Sequence, residues 1–226
     1  MSYTYSTFLN ALALGLVVDS NDADFLTLLP SIIDEAEQRL YRELDLVSCS
    51  VISTGAMTTN SRYATLPSTN GHIIVVDAVN IIDGSTKYKL LPTTLDVIDY
   101  VWPSTAPVGT TKPQVFYRLD DDRLVVGPIP SSDWIFEVIG TIRPTALSAN
   151  NGATFLSTYL SDLFFAAAMC SGNALLLKNY GAESADPQQA MSWETKYQAL
   201  FASAKAEELR KLFISSNSPL PASAKA

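Results

Sequence analysis

Apolar side chains recur every three or four residues at both ends of this chain and roughly every second residue in its middle. The first period belongs to helices and the second to strands. The spacing predicts a helix over 4–17, with Phe8, Leu9, Leu12, Leu16 and Val17 on its apolar side and Thr4 or Ser6 as its cap. A second helix is predicted over 29–46. Leu29, Ile32, Ile33, Ala36, Leu40 and Leu44 form its stripe, and Pro30 fits a first turn, where its missing N–H removes no helical bond. Glu35, Arg39 and Glu43 stand one turn apart on the opposite, outward face, where such pairs add roughly 0.2–0.5 kcal/mol each.

From 47 to 145 short runs of Val, Ile, Tyr and Thr alternate with Gly, Pro, Asn and Asp. Strands are predicted near 48–56, 61–66, 73–82, 86–91, 114–119, 123–127 and 134–143. A short helix at 94–102 carries Leu95, Ile98 and Trp102 on one side, and Asp120, Asp121 and Asp122 form the acidic turn of a hairpin. After a return loop at 144–153, a long buried helix is predicted from Leu156 to Asn179, with Gly181 as its stop. Asp186-Pro187 then starts a last helix that runs to about Phe213. Residues 215–226, SSNSPLPASAKA, have no period and two prolines, and read as an extended tail.

This order predicts an α+β fold. The expected parts are a helical bundle body at 1–46 and 154–214, an inserted antiparallel β-rich lobe at 47–153, and the tail at 215–226.

Composition narrows the role. Charged residues make up 17% of the chain, below the usual quarter, and hydrophobic ones 47%, which suits large surfaces buried against other chains. A net charge of −8 without a Lys/Arg cluster argues against tight nucleic-acid binding, which needs cations on phosphates. DNA could still pass such a surface without sticking. Cys49 and Cys170 form no motif, and a reduced intracellular compartment is expected. No secretory leader is expected at Met1. Leu163 to Leu177 is apolar but shorter than the about 20 residues a bilayer needs, so a core helix is expected and no membrane partner.

Chemistry is sparse. His72, the single histidine, begins a strand after Asn70-Gly71, and a triad or metal site would have to use it alone. Asp120–Asp122 lack the alternating ligands, glycine and distal Glu of a calcium loop. No phosphate-binding glycine loop or GxSxG elbow occurs. No carboxylate stands out as one of a hydrolytic pair. Trp102, Trp134 and Trp193 are not interleaved with Arg or Lys and read as core or subunit-contact residues. No catalytic residue, cofactor or metal is expected.

Three segments together carry a resemblance. They are IIDEAEQRLYRELDL (32–46), YRLDDDRLVVGPIPSSDWIFEVIGTIRPTALSA (117–149), and LSTYLSDLFFAAAMCSGNALLLKNY (156–180) followed by MSWETKYQALFASAKAEELRKL (191–212). In wording and order they resemble the SU10-type head-to-tail adaptors of tailed bacteriophages. Arg39, Arg42 and Trp193 match recurring positions of that family. The resemblance implies a structural adaptor at the virion neck, made in the host bacterial cytoplasm. It implies a ring, usually of twelve copies, between the portal protein and tail or nozzle proteins, through which DNA passes without specific binding. It implies that the C-terminal segment reaches the portal, through Ser215, Ser216, Asn217, Pro219, Leu220 and Pro221. Glu35, Arg39, Arg42 and Glu43 are the expected subunit contact. Another tail-completion protein, or a tail-associated cell-wall hydrolase, is the alternative.

Overall fold

A computed structural model describes residues 2–69, 71–107, 111–180 and 187–216, with the side chains of 176–180, 187–190 and 213–216 left aside. The protein is α+β. Its backbone divides into two compact units, Met1–Val47 with Ala146–Ala226, and Ser48–Thr145.

The first unit is helical. Helix α1 (Tyr5–Leu16) starts at a reciprocal cap, in which the Thr4 hydroxyl accepts the Thr7 N–H and the Thr7 hydroxyl accepts the Thr4 N–H. It buries Phe8, Leu12 and Ala13, and Phe8 stacks on Phe164 at 4.6 Å between ring centres. Val17, expected in the stripe, is instead 87% exposed. It closes the helix in a left-handed conformation (φ 58°), a place usually taken by glycine.

Helix α2 (Ala23–Glu43) begins six residues earlier than the stripe suggested, at an Asp22 cap whose carboxylate accepts the Phe25 N–H at 2.9 Å. Pro30 therefore lies inside the helix, not in its first turn. It is exposed, as is Leu26, whose carbonyl loses its helical donor on the side where water reaches it. Phe25, Leu29, Ile32, Ile33, Ala36, Glu37 and Leu40 are buried.

The expected long helix from Leu156 is two pieces, α4 (Phe155–Tyr159) and α5 (Ser161–Tyr180). Leu160 leaves helical geometry at φ −118°, ψ 36°, yet its carbonyl still accepts the Phe164 N–H at 2.8 Å. The apolar pattern runs through this break and hides it. Ala166, Ala167, Ala168 and Met169 are all buried, so α5 is surrounded over this turn. Gly172 lets α1 approach: a Cβ there would lie 2.9 Å from a Leu16 methyl. Helix α6 spans Pro187–Ser216, so Ser215 and Ser216 are helical and not part of an extended tail. Gly181, Asp186, Asn217, Pro219, Leu220 and Pro221 lie outside the described residues.

The second unit packs two sheets over one core. One has the order β1 (Ser50–Met57), β8 (Trp134–Arg143), β3 (His72–Asp83), β4 (Thr86–Lys89), all antiparallel. The other has the order β2 (Tyr63–Thr65), β7 (Arg123–Gly127), β6 (Val115–Arg118), β5 (Leu91–Pro92). Met57, Val79, Ile81, Phe116, Val126, Phe136 and Val138 are among the residues buried between them. The single strand expected at 86–91 divides at buried Leu90, where the chain leaves one sheet for the other. The Leu90 N–H bonds the Val79 carbonyl and the Leu91 N–H bonds that of Gln114. Gly140 is required: a Cβ there would lie 2.1 Å from the Val75 carbonyl oxygen, between two register shifts of β3. Helix α3 (Leu95–Val101) buries Ile98. Residues 146–153, expected with the lobe, sit with the helices, because Leu147 is buried and its N–H bonds Glu37 at 3.1 Å.

Candidate interaction surfaces

The expected subunit-contact residues gather on the C-terminal half of α2. Glu35, Gln38, Arg39, Arg42, Glu43 and Ser171 line a depression of about 310 Å³. Arg39 does not face outward towards Glu35. Its guanidinium donates two bonds to the Glu194 carboxylate, at 2.6 and 2.8 Å, and one to Glu43 at 3.2 Å. It also lies 3.8 Å from the ring centre of Tyr197, whose hydroxyl donates to Glu43 at 2.5 Å. This network ties α2 to α6. The Arg39 guanidinium holds the Glu194 carboxyl down at about 2, and Glu194 in turn raises the basicity of Arg39. Arg42 pairs locally, donating to Gln38 at 2.6 Å. Arg42 and Glu35 are exposed.

Sequence reasoning missed four members of the helical unit's polar set: Glu194, the Tyr197 hydroxyl, Glu37 and Glu208. Glu37 had a legible signal, since it stands four residues after Ile33 and three before Leu40, on the apolar side. It is 3% exposed, and burial pushes its carboxyl up to about 7 even though it accepts the Leu147 N–H. Glu208, equally buried, accepts the Val47 N–H at 3.1 Å and bonds Lys211 at 2.7 Å. The two chain crossings between the units are thus each held to the helices by a buried glutamate.

Burial pushes the Cys170 thiol up to about 11, which disfavours its thiolate. His72 lies 3.7 Å from Asp122, and both are substantially exposed. Asp120 is tied to Arg123 at 2.7 Å in the hairpin turn. Among the described residues no three His, Cys, Asp or Glu side chains could hold a metal, and no helix is long and apolar enough to cross a membrane. Trp102, with Val101, Pro103, Pro128 and Ile129, lines an apolar groove of about 540 Å³ in the sheet unit. Trp193 meets the Phe165 ring edge-on at 5.7 Å.

A two-part α+β protein whose polar groups brace helices, and whose outer faces hold apolar residues, is built to make contacts. The chain matches the SU10 adaptor protein family over residues 3–219, and it belongs to that family. It is a bacteriophage adaptor protein, a structural part of the virion neck that meets other head and tail proteins. No curated protein matches it.

Proposed function

We propose that this adaptor assembles as a ring, of twelve copies, beneath the portal and joins it to the tail around the DNA channel. The match to one adaptor family across nearly the whole chain carries this reading. The low charge content supports it, since a ring subunit buries two different faces against its neighbours. Glu35 and Arg42, exposed on the rim of the α2 depression, are the groups offered to a neighbouring copy, with Arg39 and Glu43 as their fixed base. The portal contact is assigned to Ser215, Ser216, Asn217, Pro219, Leu220 and Pro221 at the C-terminus. Many weak contacts made at once anchor such a ring firmly. Native mass measurement of the protein mixed with purified portal tests the proposal. A multimeric complex of the two is expected, and free monomers under all assembly conditions would overturn it.

A further inference from the structure

Strand β1 is a sheet edge with no ladder partner on its outward side, although β2 packs near it. It is the end strand of its sheet and pairs only with β8, in unbroken register over all eight residues. Alternate residues therefore turn N–H and C=O groups away from the sheet, and among the described residues no bond to that side is made. Natural edges are usually blunted by lysine, proline, a bulge or short length. The other edges here follow that rule: β4 carries Lys87 and Lys89, β2 has three residues, and β5 has two and includes Pro92. Strand β1 reads SVISTGAM, with no charge, no proline and no bulge.

The outer face beside it is ordered in rows. Ile52, Ile139 and Ala78 stand opposite one another across three strands, as do Ala56, Ile135 and Ile82. Ile52 is 63% exposed and Ile135 55%. Between the two rows runs a polar one, Thr54, Glu137 and Asn80. Glu137 is neutralised there by Lys87 at 2.6 Å and by an Asn80 amide bond at 3.0 Å. The face thus offers two apolar rows with no unpaired charge between them.

We infer that β1 receives an added strand from a different protein of the particle, an uncharged extended segment whose alternate apolar side chains continue the two isoleucine rows. Backbone bonds supply affinity in this mode and the rows supply register. A second copy is disfavoured as the occupant. No other described edge is long enough to be a counterpart, and β1 against β1 has two-fold symmetry that closes at two copies. This last step rests on the ring reading above.

Hydrogen exchange of residues 50–57, in the free protein and in intact particles, reads the edge directly. Alternate amides of β1 are expected to slow at least about tenfold on assembly; equal exchange in both states overturns the proposal. A photo-crosslinker in place of Thr54 is expected to capture another virion protein in assembled particles. Capture of a second copy's β1 overturns it. Ile52→Lys is expected to keep its melting temperature but enter particles at least about tenfold less well, and normal entry also overturns it. If Ile52→Lys fails to fold, the exchange and crosslinking results decide. Failure of the ring itself is read separately, in the mass of the portal complex.

Discussion

Leu40 and Glu37 lie on the same buried side of α2 and make opposite demands on it. Leu40 is fully buried, so Leu40→Ala is expected to cost about 2–5 kcal/mol in urea unfolding. A loss below about half a kcal/mol would show that the surrounding side chains close the gap. Glu37 keeps its proton in the folded state up to about pH 7, whereas unfolded glutamate releases it near 4.5. The folded protein therefore binds more protons in that interval, and stability falls as pH rises through it, by at most about 3 kcal/mol. Glu37→Gln retains a carbonyl for the Leu147 N–H and is expected to flatten the profile. An unchanged slope in that variant would assign the titration elsewhere. Glu194 has the opposite sign: its folded pKa is depressed, so its contribution is present above 4.5 and is lost as pH falls towards about 2.

At the level of elements, periodicity reveals the helices and strands but only some of their ends. The alternation of 134–143 matches β8 to the residue, because both flanks carry turn signals. Pro30 resembles a first-turn proline and so points to a start of α2 at Leu29; the actual signal is Asp22, with the aspartate-to-amide cap it makes. The kink at Leu160 was illegible because no glycine or proline marks it. The Arg39–Glu194 pair spans elements far apart in sequence, and nothing in local spacing reveals such a bond. Val17 ends α1 in a conformation that suits glycine. Val17→Gly is expected to raise stability by about 1 kcal/mol, seen as a higher melting temperature, since it removes the Cβ crowding of a left-handed residue. A lowered melting temperature would mean that Val17 makes a contact outweighing this strain.

For the whole molecule, the family and the α+β class were legible, since they rest on the order of many weak segments, not on any one. The candidate contacts were legible only as charged or proline-bearing stretches. Which of them are already used inside the fold, as Arg39 is, needed coordinates. Removal of residues 217–226, which lie beyond Ser216, is expected to leave circular dichroism and melting unchanged while weakening portal attachment. Full portal binding by the shortened protein would move the contact elsewhere. The insertion of the sheet unit also sets an order of events during synthesis. Helices α1 and α2 leave the ribosome first, but α5 begins at Ser161, more than a hundred residues after α2 ends. At about 5–20 residues per second, the α2 stripe waits several seconds for the helix that covers it. The sheet unit, a single continuous stretch, is complete in sequence before Ser161 is made. The newborn chain thus carries the Leu29–Leu40 stripe without its α5 partner until residues 161 onward are made.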